Sequence, residues 1–192
     1  MKNIFTNGEK QDIPAVLANK DHRAAVQRRL VADYPEMTVV AAKLNIPGPI
    51  KNNPAIKEFF IVGLNQLEHQ WRQAGTLFYQ KGQWLDAGTG PERFYLVKAA
   101  APVVKAATTA FEEATASNRL FDLDVLVKEN GQVRPLSRAD SGQSARRCFV
   151  CGRPAKECGR SRRHSVAELQ EAVNKLIVAA LTAAGVVMPL VT

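Results

Sequence analysis

The chain has no hydrophobic run long enough to cross a membrane. Its longest apolar stretch, 176–191, is interrupted by Thr182, Gly185 and Pro189. It falls short of the roughly 20 apolar residues a spanning helix needs, and reads as a buried helix end and tail. The opening residues, Met-Lys-Asn-Ile-Phe-Thr-Asn-Gly, contain no apolar segment of the kind a secretory signal requires, so none is expected. Cysteine is scarce, with three in all, bunched between 148 and 158; in a reducing compartment that points to metal ligation rather than disulfides. The glycine-rich loop 87–91, Ala-Gly-Thr-Gly-Pro, matches neither a Walker loop nor a dinucleotide fingerprint. Histidine is equally sparse: His22 falls on a charged helix side and His69 in a polar last turn, and neither is given a role. These absences leave a cytoplasmic enzyme or binding protein as the expectation.

What is present is an ordinary globular composition, 46% apolar and 23% charged over 192 residues. That length predicts one domain, 1–192, with a Cys/Arg-rich segment at 144–164 inside it. The net charge is +8, and between 146 and 163 seven basic residues meet a single acid, Glu157. That window holds +6 of the excess and suits an anionic partner: a phosphate-rich small molecule, nucleic acid or an acidic protein surface. A merely solvated basic loop is the bland alternative.

Asp12 caps a predicted helix running from about Ile13 to Asp33, with Pro14 in its first turn. A strand follows over 37–44 and enters the rigid turn 45–54, Asn-Ile-Pro-Gly-Pro-Ile-Lys-Asn-Asn-Pro, where Lys51 suits a phosphate or ribose contact and a plain structural connection is the equal alternative. Asn53 and Pro54 open a helix whose Ile56, Phe59, Phe60, Gly63, Leu64, Leu67 and Trp71 recur at helical spacing, ending at Gly75. Segments 76–79 and 83–85 around Lys81-Gly82 read as a hairpin, 93–98 as a strand and 99–116 as an alanine-rich helix. Asn130-Gly131 turns the chain into 132–135, closing a second hairpin. Ser165 and Glu168 form a capping box for a last helix through Ala184. The class is α+β, with one mixed sheet flanked by helices.

The stretch 118–127, Asn-Arg-Leu-Phe-Asp-Leu-Asp-Val-Leu-Val, is the point of chemistry. Alternation along a strand puts Asp122 and Asp124 on one face and Phe121, Leu123, Val125 and Val127 on the buried one. Two like charges about 7 Å apart help no core. They can share a hard cation such as Mg²⁺, which takes oxygen ligands and keeps substrate phosphates in its shell. A half-exposed strand that happens to carry two acids is the other reading. Further on, Cys148-x₂-Cys151-x₆-Cys158 followed by His164 is a Cys₃His composition of the structural-zinc type, flanked by arginines that offset three thiolates. The six-residue spacing is not a common finger spacing, and free thiols in a basic loop remain the alternative.

Taken together, these segments resemble the apo-citrate lyase phosphoribosyl-dephospho-CoA transferase family, over nearly the whole chain. The resemblance rests on 45–52, Gly90-Pro-Glu92, Arg119-Leu-Phe-Asp-Leu-Asp-Val125, Ser137-Arg138, Arg147-Cys-Phe-Val-Cys151, Cys158-x-Arg160 and His164-Ser165. It implies transfer of a phosphoribosyl-dephospho-CoA group from 2′-(5″-triphosphoribosyl)-3′-dephospho-CoA to a serine of the citrate lyase acyl carrier (gamma) subunit, releasing diphosphate. In that light Asp122 and Asp124 would hold Mg²⁺, and Lys51, Arg119, Arg138 and Arg147 would meet the triphosphate. Cys148, Cys151, Cys158 and His164 would hold structural Zn²⁺, and the basic window would receive the acidic carrier. The Asp122-Leu-Asp-Val125 strand is also similar to that of polymerase-β-like nucleotidyltransferases, although neither their upstream Gly-Ser turn nor a third carboxylate is visible. One departure is Asn118, where the family is expected to carry glycine; a close phosphate approach there would call for another backbone state, such as the left-handed one. No membrane and no nucleic acid are expected as partners. The rivals are a zinc-dependent nucleic-acid-binding module, which would leave the paired aspartates without a purpose, and a non-catalytic assembly factor for the lyase.

Overall fold

A computed structural model describes residues 3–138 and 145–186. The first residues of the chain, position 144 at the start of the Cys/Arg-rich segment, and the 187–191 end of the apolar tail lie outside the described residues.

Helix α1 (Ile13–Asp33) begins where the sequence predicts: the Asp12 carboxylate accepts from the Ala15 N–H at 2.8 Å, with Pro14 in the first turn. Strand β1 (Thr38–Leu44) leads through the Asn45–Lys51 turn to α2 (Pro54–Gln73). Asn53 caps α2 through Ile56 N–H (2.9 Å) while its own amide donates to Ile4 O and Asn7 O, so one buried side chain ties the N-terminal turn Ile4–Thr6 to the helix. The seven α2 residues at helical spacing are all buried. Gly63 among them is required by contact: a Cβ there would stand 2.2 Å from Phe121 Cζ, inside the aromatic cluster of Phe59, Phe60, Phe111 and Phe121.

Strands β2 (Phe78–Trp84) and β3 (Glu92–Val97), helix α3 (Ala101–Ala114), and strands β4 (Phe121–Glu129) and β5 (Gln132–Pro135) complete one sheet of order β2-β3-β1-β4-β5. Two expectations are corrected here. Lys81-Gly82 is no hairpin turn; it is a bulge within the continuous strand β2, where the register steps from Gln80 to Gly82 against β3. Gly82 does not take a positive φ, and Lys81 instead reaches over the Tyr34 ring at 4.5 Å. The sheet is also not mixed: each of its pairings is antiparallel. Helices α2 and α3 do connect strands that run parallel, but β3 lies between β1 and β2, and β1 lies between β3 and β4. Both crossovers are split βαβ units, so no parallel neighbours form.

The two sheet faces differ. Val40, Ala42, Tyr95, Val97, Phe121, Leu123 and Val125 face the large core under α2, α3 and helix α5 (Val166–Ala183). Val39, Ala41, Phe94, Leu96 and Leu126 face a smaller cluster with Leu30 of α1. Val127, expected to be buried, is half-buried, because β4 runs out there toward its exposed hairpin end. Ser165 and Glu168 form the predicted capping box of α5.

Candidate functional site

Asp122 and Asp124 lie on the α1 face of β4, beyond the end of that helix's cover. The β1–β4 register sets Lys43 opposite Asp122 and Ala41 opposite Asp124. The small Ala41 leaves room, and Lys43 Nζ settles 2.6 Å from Asp122 Oδ2 and 2.5 Å from Asp124 Oδ2. The two carboxylates therefore converge on one cationic point. Burial works against the charge of Lys43, yet the fields of Asp122 and then Asp124 outweigh it and hold its pKa above the ordinary lysine value. Burial likewise pushes the Asp122 carboxyl up, but Lys43 and Arg146 bring it below the usual carboxylate range.

Beneath the pair, the buried Glu112 of α3 (1% exposed) organises the charge. Its Oε1 accepts from the Leu123 N–H at 2.8 Å and from Arg146 at 2.8 Å, and its Oε2 from Arg138 at 2.6 Å. Arg138 also pairs with Glu113. Arg146 extends onward to Asp122 Oδ1 at 3.0 Å, bridging the buried glutamate and the half-buried dyad. Arg119 lies over the Phe149 ring at 5.1 Å and donates to the Arg147 carbonyl, fastening the Cys/Arg-rich segment beside β4. A pocket of about 690 Å³ opens here, its walls including Asp122, Asp124, Lys105, Arg138, Arg146 and Phe149, while Lys43 borders the adjoining cleft.

Of the residues singled out in the sequence, the fold brings Asp122, Asp124, Arg119, Arg138 and Arg147 to this one pocket. Lys51 is not among them. It donates to Ile46 O at 2.6 Å, burial lowers its pKa, and it lines a neighbouring cleft of about 360 Å³ that shares Asn45 and Phe149 with the first. Asn118 does not adopt a positive φ; its buried amide donates to Phe111 O at 2.9 Å and ties β4's approach to the end of α3. Three participants went unnoticed in the sequence, Lys43, Lys105 and Glu112, and Arg146 figured there only as part of the basic window. For Lys105 and Glu112 a signal existed, since Val104, Lys105, Thr108, Phe111 and Glu112 recur at helical spacing on the buried side of α3.

The ligand atoms of Cys148, Cys151, Cys158 and His164 all lie within 4.8 Å of one another, so this cluster can hold a metal. The irregular spacing is absorbed locally. Gly152, at φ 70°, turns the chain directly after Cys151, and Cys148 N–H donates to Arg153 O at 2.6 Å. The short helix α4 (Ala155–Arg160) then carries Cys158 back, and Arg163 N–H donates to Cys158 O just before His164. The Arg153 N–H and His164 draw the Cys151 thiol down to about 6, whereas burial and the neighbouring thiols push Cys158 up to about 11. His164 Nε2 is buried without a hydrogen-bond partner among the described residues, as expected of an atom whose partner is an ion.

The sequence profile of the family described as apo-citrate lyase phosphoribosyl-dephospho-CoA transferase matches residues 11–180. A probable apo-citrate lyase phosphoribosyl-dephospho-CoA transferase of Streptococcus pyogenes serotype M18 is 34% identical over 176 residues, 92% of this chain and 90% of that protein. The apo-citrate lyase phosphoribosyl-dephospho-CoA transferase of Citrobacter koseri is 34% identical over 161 residues, 82% of this chain and 83% of that protein. Protein CitXG of Leuconostoc mesenteroides subsp. cremoris is 32% identical over 173 residues; the chain spans 36% of that protein's length. A profile match across most of the chain, joined to relatives matched along nearly their full length, shows that the protein belongs to the apo-citrate lyase phosphoribosyl-dephospho-CoA transferase family.

Proposed function

We propose that the protein transfers the phosphoribosyl-dephospho-CoA group of 2′-(5″-triphosphoribosyl)-3′-dephospho-CoA to a serine of the apo acyl carrier subunit of citrate lyase. The serine Oγ attacks the α-phosphorus, the bond from that phosphorus to the β-phosphate oxygen breaks, and diphosphate leaves. The hydroxyl proton passes to a nearby carboxylate, for which Asp124 is the candidate, since Arg146 engages Asp122 and not Asp124. A phosphodiester then joins the prosthetic group to the carrier. The chemistry is nucleotidyl transfer, and it belongs to the cytoplasm, where the thiols stay reduced.

The observation that carries this reading is that Asp122 and Asp124, which line a pocket walled by arginines and lysines, converge on one cation, Lys43, at the border with the neighbouring cleft. Negative charge grows on the α-phosphoryl oxygens and the departing diphosphate, and fixed positive groups are what stabilise it. The dyad fits Mg²⁺, because the ammonium of Lys43 already stands where two carboxylate oxygens meet. Mg²⁺, when bound, supplies charge neutralisation to phosphate oxygens. Arg119 and Arg147 border the pocket as anion ligands, while Arg138 holds the wall through Glu112 and Glu113. Phe149 offers an apolar face for the ribose or base. Zn²⁺ in the Cys148, Cys151, Cys158 and His164 cluster is structural: no open side of the cluster is needed by the reaction, and it orders the segment that carries Arg146 and Arg147. The remaining basic side chains of that segment suit the acidic surface of a carrier protein.

The test is the intact mass of the apo carrier subunit after incubation with this protein, the triphosphoribosyl precursor and Mg²⁺. A Mg²⁺-dependent gain equal to the precursor less diphosphate is expected. A carrier that binds but gains no mass would identify an assembly factor and overturn the reading.

A further inference from the structure

The protein pairs its buried charges with care. Arg93 is held by Glu68 at 3.0 Å and Gln83 at 2.9 Å, Glu92 by Arg23 at 2.5 Å, Glu112 by two arginines and a backbone N–H, and Lys43 by both aspartates. Lys105 departs from this pattern. It sits on the buried side of α3, only 6% exposed, and among the described residues its ammonium has neither a hydrogen bond nor an ion pair. The small part of the side chain that is open faces the aspartate pocket. Glu112 and Asp124 attract it from a distance, Arg138 and Arg146 repel it, and burial disfavours its charge most of all. A core helix gains nothing from an unpaired ammonium there, and methionine or leucine would fill the same space at no electrostatic cost. The residue makes sense if its partner arrives from the pocket.

We propose that Lys105 is a direct ligand for the phosphate oxygens of a polyphosphate group bound in this pocket. Three features fit that ligand class. The ammonium is a point charge with three donors, suited to several oxygens at once. Its immediate surroundings are held rigid, since Glu112 fixes both Arg138 and Arg146 beside it. The desolvated site strengthens a phosphate contact relative to one made by an exposed lysine such as Lys156 on the same rim. The inference rests on the pocket being the triphosphate site, and it adds the one buried cation of its lining that, among the described residues, no protein group engages.

The experiment is calorimetric titration of the full-length protein with inorganic tripolyphosphate, with and without Mg²⁺, alongside Lys105→Met. The expected result is binding weakened by about tenfold or more in Lys105→Met, the loss appropriate to a charge-assisted contact. The ligand-free variant should melt at the same temperature or higher, because an unpaired buried charge has gone. Should the methionine variant not fold, Lys105→Gln, equally neutral and close in length, gives the same readout. Wild-type affinity in either folded variant overturns the role of Lys105 and leaves the pocket reading standing. No tripolyphosphate binding by the wild-type protein overturns both.

Discussion

Glu112→Gln isolates a charge in the wall of the pocket while hardly changing its shape. In the native protein this 1% exposed carboxylate accepts from Arg138, Arg146 and the Leu123 N–H. Glutamine keeps one oxygen, enough for Leu123, but turns an NH₂ toward a guanidinium and leaves two cations facing a neutral group. Removing one partner of a buried ion pair costs about 3–5 kcal/mol. Both arginines retain other partners, Glu113 and Asp122, and neither is fully buried, which reduces the figure to about 2–4 kcal/mol. For a chain of this size each kcal/mol lowers the melting temperature by roughly 2–4 °C, so the drop should be on the order of 10 °C. Glu112→Ala, which also strands the Leu123 N–H, should fall further. Thermal and urea melts at neutral pH decide the matter. A Glu112→Gln melt within about 2 °C of wild type would refute the view that this carboxylate organises the wall.

Three other outcomes are expected. Asp122→Asn and Asp124→Asn should each abolish the mass gain on the carrier while the circular dichroism spectrum stays native; turnover in both variants would remove the dyad from the chemistry. The Asp122 carboxyl, pushed up by burial but carried below the ordinary range by Lys43 and Arg146, contributes stability that is present above the unfolded value near 4 and lost as pH falls through the folded one. Urea midpoints between about pH 2.5 and 6 should therefore decline less steeply in Asp122→Asn than in wild type, and parallel declines would contradict the ion pairing. Purified protein should carry about one zinc, and Cys148→Ser or His164→Ala should lower both zinc content and melting temperature; less than about a tenth of an equivalent in the native protein would exclude the metal.

The sequence displayed its helices plainly because their signals are local. Asp12, Asn53 and Ser165 cap the three long helices in the way their positions predict, and the α2 stripe is the core stripe. Asp122 and Asp124 were readable for the same reason, as an alternation that a core would not choose. What stayed hidden was set by pairing over distance. Lys43 ends an apolar strand and looks like a simple edge charge; only the β1–β4 register, joining residues some 80 apart, puts it between the aspartates. Antiparallel order was equally invisible, since interleaved strands and helices describe split and unsplit crossovers alike. Lys81-Gly82 misled because glycine serves turns and bulges equally, and the choice fell to the ladder with β3. Lys105 and Glu112 are different: their helical spacing was legible, but the alanine-rich composition of α3 drew no chemistry from it.

The pocket exists because β5 stops early. Among the described residues that strand pairs with residues 126–129 of β4 and no strand pairs with this edge of the half that carries the aspartates. An open edge presents unpaired backbone groups that must be met or covered. Here Leu123 N–H is met by a carboxylate in place of a neighbouring strand, while Val125 O accepts from Leu136 N–H. The glutamate that closes the edge then requires counter-charges, and Arg138 and Arg146 supply them. Arg146 stands two residues before Cys148, and its carbonyl accepts from Ala155 N–H across the turn that gathers the sulfurs. Arg119 fastens the same turn from the β4 side through the Arg147 carbonyl. The Cys/His cluster and the charge of the pocket are thus one mechanical unit. If the turn opens, Arg146 leaves both Glu112 and Asp122, and the dyad keeps Lys43 alone. A metal whose ligands begin two residues after Arg146 would then act on the reaction by fixing a guanidinium. Loss of any ligand among Cys148, Cys151, Cys158 and His164 should weaken anion binding in the pocket even where the sheet and its helices remain folded.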